Sequence, residues 1–355
     1  MMKNRMTQGL AVVVPSVLLS LLTPEQTHAQ SREELKAQIE AYRAEVFRGA
    51  AVFLDASRSE KERVAAVRGH ATFYDPRQIE DCVRVARNLR ESGGIRAEAL
   101  GKLFPYLQAD TALVGDILSW VRDADTPQPL RKAALDTTRG FANSFLGMVQ
   151  AREQILSTMR RLTADADPEF REAAFALLCG HGDSYAQKLL AAGLEDPTRA
   201  LLPPEKSVAL LGLSLHGDFY PTLYKVMLSP PNAATRLECI RLLGGYKEAQ
   251  PTILGYLQGR QEPEDVRLAA AGTLNANAPE KFADYVGPVV ADEDSPENVR
   301  LYGIQAELLR RGESADSERR RPDEFDRVVR ELSVASSSDL VRRSARGYVE
   351  KLQLR

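Results

Sequence analysis

EPEDVRLAAAGTLNA at 262–276 and DSPENVRLYGIQAELLRRG at 294–312 follow one plan. An acid and a proline precede an arginine. A small residue stands three places after the arginine, and apolar residues follow at helical spacing. LRKAALDTTRG (130–140), FREAAFALLCGHGD (170–183), TRLECIRLLGG (235–245) and VRRSARGYVEKL (341–352) are built alike. Aligning on the basic residue gives Arg63, Arg96, Arg131, Arg171, Lys206, Arg236, Arg267, Arg300 and Arg342, separated by 30 to 42 residues. Three places on stand Ala66, Ala99, Ala134, Ala174, Ala209, Cys239, Ala270, Gly303 and Ala345, all small. Four places on stand Val67, Leu100, Leu135, Phe175, Leu210, Ile240, Ala271 and Ile304, and the pattern fails only at Arg346.

Positions i, i+3, i+4 and i+7 line one face of an α-helix. A small residue within that face lets a second helix approach closely. Leu178, Leu213, Leu243 and Leu274 continue the stripe at the seventh position. One such helix cannot bury its stripe alone, so it needs a partner helix and a neighbouring unit. Pro127, Pro168, Pro263 and Pro296, with nearby acids, mark the expected helix starts. Gly180, Gly182, Gly217, Gly244, Gly245 and Gly312 follow the stripes, where left-handed C-caps are expected. Second helical patterns fill the gaps, such as 184–196 and 280–292. No stretch alternates convincingly as a strand, so the fold class is all-α.

The Asp–Pro–(x)–Val–Arg–x–x–Ala pieces resemble the HEAT-repeat family, including its bacterial branch of lyase-like repeats. The resemblance covers roughly residues 55–352. It implies a right-handed α-solenoid of about nine HEAT-like helical hairpins, with the arginine-bearing helices lining the concave side. It also implies a ladder of hydrogen bonds between Arg and Asp of neighbouring units. The alternative use of the arginines is an anion-binding face.

The remaining features set address and class. Residues 1–9 carry Lys3 and Arg5, residues 10–22 are uncharged and largely apolar, and Ala29 offers a cleavage position. This is the plan of a secretory signal peptide over 1–29. The expected domain is then 30–355, with 30–57 as an N-terminal capping helix, and the expected address is periplasmic or secreted. Hydrophobic residues make up 44% and charged residues 27% of the 355, as in a globular chain. The formal charge is −2, and removing Lys3, Arg5 and Glu25 leaves −3, so no basic field favours nucleic acid. No apolar run after the leader is long enough to span a membrane, so no stable insertion is expected after cleavage.

Candidate chemistry is sparse. His181-Gly-Asp183 and His216-Gly-Asp218 recur 35 residues apart, as capped helix ends or as metal ligands; adjacent helices stand too far apart for one ion to reach both turns easily. His70 is the other histidine outside the leader. Cys82, Cys179 and Cys239 fall on apolar stripes and are expected as buried thiols, with a Cys179–Cys239 bridge as the alternative. No nucleophile elbow or glycine-rich phosphate loop appears. No catalytic, cofactor-binding or metal residue is therefore assigned. Phe219, Tyr220 and Tyr224 form an aromatic cluster, read as core or as partner contact. Arg310, Arg311, Arg319, Arg320 and Arg321 concentrate positive charge amid acids at 312–324, read as a solvated loop or as an anionic-partner contact. The leading expectation is a non-enzymatic scaffold of the cell envelope that binds a protein or peptide. The alternatives are a lyase-like or cofactor-handling enzyme with a groove site, and a structural spacer or assembly factor.

Overall fold

Each arginine of the series stands four residues after the cap of a helix, and that placement organises the fold. The structure, a computed structural model, describes residues 32–69, 73, 75–213, 217–312 and 322–352. The expected signal segment 1–29, His70, His216 and Arg319, Arg320 and Arg321 lie outside them.

Among the described residues there are α-helices and short 3-10 turns and no strand. The chain divides into two compact units that meet within one helix, the first ending at Leu177 and the second beginning at Leu178. In the first unit the helices are α1 (Arg32–Leu54), α2 (Glu60–Val67), α3 (Pro76–Arg87), α4 (Gly93–Leu103), α5 (Thr111–Arg122), α6 (Gln128–Ala142) and α7 (Phe145–Leu162). Helix α8 (Pro168–Gly180) carries the boundary. The second unit holds α9 (Ser184–Glu195), α10 (Pro204–Leu211), α11 (Tyr220–Leu228), α12 (Ala233–Leu242) and α13 (Gln250–Gln258). It continues through α14 (Glu264–Asn277), α15 (Phe282–Ala291), α16 (Glu297–Gly312), α17 (Glu324–Ala335) and α18 (Asp339–Lys351).

The arginine series lies on the even-numbered helices. Odd and even helices pair as hairpins: α1 with α2, α3 with α4 and α5 with α6 in the first unit. In the second unit α9 packs on α10, and the pairing continues through α17 with α18. Even helices also pack on the next even helix, as α4 on α6 and α12, α14, α16 and α18 in turn. The expected capping helix is thus the first arm of the first hairpin, since α1 packs on α2.

The cause is visible at the helix starts. The backbone N–H at the fourth position after each cap donates to the cap carbonyl. The pairs are Arg63 to Ser59, Arg96 to Ser92, Arg131 to Pro127, Arg171 to Asp167, Arg236 to Asn232, Arg267 to Pro263, Arg300 to Pro296 and Arg342 to Ser338, all within 3.2 Å. Serine, asparagine and aspartate caps also accept amide protons through their side chains, as Ser59 does from Glu62 and Asn232 from Thr235. Pro127 and Pro263 stand at the cap itself, one place earlier than a first-turn reading puts them.

In α10 that position belongs to Ser207, whose N–H donates to Pro203, and not to Lys206. Ser207 is buried, whereas Lys206 and Ala209 are exposed. The expected register was one residue early there, and Leu213, placed on the stripe by it, is 49% exposed. Elsewhere the stripe is dry: Ala99, Ala134, Ala174, Cys239, Ala270 and Ala345 are fully buried. So are Leu100, Phe175, Ile240 and Ile304. Burying each of these large side chains contributes about 1.5–3 kcal/mol. The small residue matters most at Gly303, where an added Cβ would stand 2.7 Å from methyls of Val286 and Val290 on α15. Of the six glycines expected as left-handed caps, Gly182 (φ 71°) and Gly217 (φ 66°) adopt that conformation. Gly244 and Gly245 lie in a 3-10 turn instead.

Candidate functional site

The arginine side chains point inward. Arg63, Arg96, Arg131, Arg267 and Arg300 are each at most 4% exposed. In all five, Nε donates to the carbonyl ten residues earlier: Phe53, Ala86, Val121, Leu257 and Val290, at 2.7–3.0 Å. Those carbonyls lie in the last turns of the preceding odd helices, where no intrahelical donor follows. The guanidinium then reaches forward to the loop of the next hairpin. Arg63 forms a two-pronged pair with Glu91 at 2.7 and 2.9 Å, and Arg131 pairs with Asp165. Arg267 Nη2 donates to Ser295 Oγ at 2.9 Å; Arg300 Nη2 donates to Ser336 Oγ at 3.4 Å and, within its own hairpin, to Glu293 at 2.6 Å. Arg236 pairs with Glu262 at 2.8 Å. Rings cover some guanidinium faces, with Arg131 4.0 Å from the Phe170 centroid and Arg236 4.3 Å from Tyr256. These arginines join hairpins and are not an exposed anion-binding face.

The aromatic cluster is a hairpin contact as well. Tyr220 and Tyr224 meet the Tyr246 ring at 5.7 and 6.0 Å, and the Tyr224 hydroxyl lies 2.9 Å from Thr252 Oγ1. Both tyrosines and Phe219 are half-buried. At the His181 turn, Gly182 supplies the left-handed bend and Asp183 caps α9 through the Ala186 N–H at 3.0 Å. Cys82, Cys179 and Cys239 are free, buried thiols. Burial pushes each up to about 12, away from thiolate chemistry.

One cluster was missed in the sequence. Arg311, in the last turn of α16, is 3% exposed and faces the buried carboxylates of Glu307 and Asp326. Arg311 Nε donates to Glu307 at 2.5 Å, and Nη1 donates to Asp326 at 2.9 Å and to Asp323 at 3.1 Å. Asp326 Oδ1 also accepts from the Tyr348 hydroxyl at 2.7 Å, and its Oδ2 accepts the Asp323 N–H at 2.8 Å in a capping box. Arg310 pairs with Glu307 from outside. The available signals were Glu307 and Arg311 four places apart and Asp323 three places before Asp326. Its centre, Glu307, Arg311, Asp326 and Tyr348, is buried, Asp323 and Arg310 reach solvent, and the cluster ties α17 and α18 to α16.

An open depression of about 530 Å³ in the second unit lies between α12 and α14. Leu237 and Leu268 line it, Gly272 and Ala276 leave it open by having little side chain, and Arg241 and Asp265 supply exposed charges of opposite sign. Beyond Gly272 stands the Tyr302 hydroxyl of α16. An open groove with apolar walls and one charge of each sign suits contact with an extended or helical segment of another chain.

No known family's sequence model matches the chain, and no curated protein matches it. Among solved structures, the complex of CpcE and CpcF of phycocyanin lyase from Nostoc sp. PCC7120 is similar over 77% of this chain and 94% of that one. The identity is 17% and the TM-score 0.34. Similarity at that level says nothing of activity, and the architecture stands on the chain's own paired helices.

Proposed function

We propose that the protein is an exported, non-enzymatic interaction scaffold of the cell envelope. It holds a protein or peptide on the solvent-facing side of its even-numbered helices in the second unit. The groove between α12 and α14 carries this reading. The repeated polar residues support it indirectly, because inter-hairpin bonds account for most of them and leave the groove free to serve as a contact surface. The leader at 1–29 supports the address.

A photo-crosslinking residue in place of Leu268 tests the partner. It is expected to capture one stoichiometric protein adduct in living cells, and the same residue in place of exposed Asp284 on α15 is expected to capture none. Equal capture at both positions, or none at Leu268, overturns the reading. Sequencing of the chain recovered from the envelope should begin at Gln30. A cytosolic chain that still carries residues 1–29 overturns the export.

A further inference from the structure

The first unit holds a second cavity, on the odd-helix side, between α3, the 3-10 turn Phe104–Ala109 and the start of α5. Its volume is about 300 Å³, at the lower end of the range for ligand pockets and suited to one long side chain. The floor is apolar, with Ile79, Leu103 and Leu113 each at most 3% exposed. Val83 extends that wall, and the Tyr106 ring closes one side, with its hydroxyl donating to the Phe73 carbonyl.

The rim is acidic. Glu80 is exposed, and among the described residues its carboxylate has no ion pair or hydrogen bond. Asp110 is half-buried and caps α5 by accepting the Leu113 N–H at 3.0 Å. That bond uses one of its oxygens, and among the described residues no cation pairs with the carboxylate. Among the described residues, the one cation of the lining, Arg87, is answered by Asp116 at 2.5 Å. The rim therefore keeps two negative charges above a dry floor.

We infer that this cavity is a socket for a lysine or arginine side chain presented by a partner protein. A basic side chain is apolar along its stem and charged at its tip. The stem fits against Ile79, Val83, Leu103 and Leu113. The tip then reaches Glu80, Asp110 and the Tyr106 ring, where carboxylates and an aromatic face attract a cation. A carboxylate or phosphate ligand would meet two like charges, and a wholly apolar side chain would leave the rim without a counter-charge. The socket is independent of the groove, since it lies in the other unit and shares no lining residue with it.

The full chain, labelled at Ile, Leu and Val methyl groups, is titrated with N-acetyl-lysine N-methylamide and with its norleucine counterpart. The lysine probe is expected to shift the Ile79, Val83, Leu103 and Leu113 methyl signals saturably. The norleucine probe, with a similar stem and no charge, is expected to bind about tenfold more weakly. Glu80→Gln with Asp110→Asn, which keeps a good cap at 110, is expected to weaken the lysine probe by a similar factor. Should the double variant fold poorly, exposed Glu80→Gln alone and a salt titration serve, both expected to weaken binding. Equal binding of the two probes, no saturable shift, or indifference to both the substitutions and salt overturns the socket. The Leu268 adduct is unaffected by any of these results, so the two proposals fail separately.

Discussion

Arg267 and Arg311 are buried to nearly the same degree, 2% and 3% exposed, yet their surroundings differ in kind. Arg267 is held by a backbone carbonyl and a serine hydroxyl. Arg311 is held by Glu307, Asp323 and Asp326, and its Nη2 is buried without a hydrogen-bond partner. The first arrangement can be repeated, because every odd helix ends in carbonyls that lack intrahelical donors. Five arginines four residues past their caps find one, whereas Arg171 and Arg342 donate instead to the Asp165 and Ser336 carbonyls six residues back. The second arrangement depends on particular side chains from three helices and is met once. Buried ion clusters carry a heavy desolvation cost, and removing one partner leaves the others stranded.

The largest expected effect therefore lies at the last described hairpin. Asp326 receives Arg311 Nη1, the Tyr348 hydroxyl and the Asp323 N–H at once. Asp326→Ala is expected to cost about 3–5 kcal/mol, read as a lower urea midpoint. Hydrogen exchange should show α17 and α18 losing protection first. A cost near that of an exposed substitution would mean the cluster is no keystone. At the repeated position, Arg267→Met removes the donor to Leu257 but keeps much of the apolar stem. The expected cost is about 1–3 kcal/mol, chiefly from the stranded Leu257 carbonyl, since the Ser295 hydroxyl keeps its bond to Asp292. If Arg267→Met costs more than Asp326→Ala in the same assay, the contrast between the two settings is reversed.

Much of the fold was legible because one local rule recurs. Cap, arginine, small residue and apolar residue all fall within nine positions, so a single stretch such as 262–276 contains the instruction. The rule misled where one of its members was missing. In α10 the position after Lys206 takes the inward place, and a lysine one residue early looked like a substitute for arginine. The Glu307–Arg311–Asp326–Tyr348 cluster was hidden for a different reason. Its members are spread over 42 residues, and each has an ordinary local explanation as a surface pair or a helix cap. The groove was hidden because Gly272 and Ala276 announce it only by having little side chain. The α10 register can be broken directly. Ser207→Leu is expected to cost about 1–3 kcal/mol through overpacking, and Lys206→Leu to stay within about 0.5 kcal/mol. The opposite ranking of urea midpoints would restore Lys206 to the inward place.

The smallest expected effect separates the two kinds of carboxylate. Glu293 serves the Arg300 rung, accepting from Ser337 and from Arg300, and its side chain is 43% exposed, whereas Asp326 is fully buried. The Ser337 hydroxyl and then Arg300 lower the Glu293 carboxyl from its ordinary 4.5 to about 2. A carboxyl lowered in the folded state binds its proton more readily in the unfolded chain. Its contribution is therefore complete above about pH 4.5 and fades as the pH falls toward about 2. Solvent screens a group so exposed, which holds the contribution below about 1 kcal/mol. Glu293→Gln keeps an acceptor for Ser337 and removes the charge. The urea midpoints of the two proteins should differ slightly near neutral pH and converge in acid, with the gap shrinking in high salt. A gap that persists unchanged to about pH 2 would mean that Glu293 acts by shape and hydrogen bonding alone. The Arg300 rung would then rely, like the Arg267 rung, on a carbonyl and neutral acceptors, and charge would distinguish only the terminal cluster.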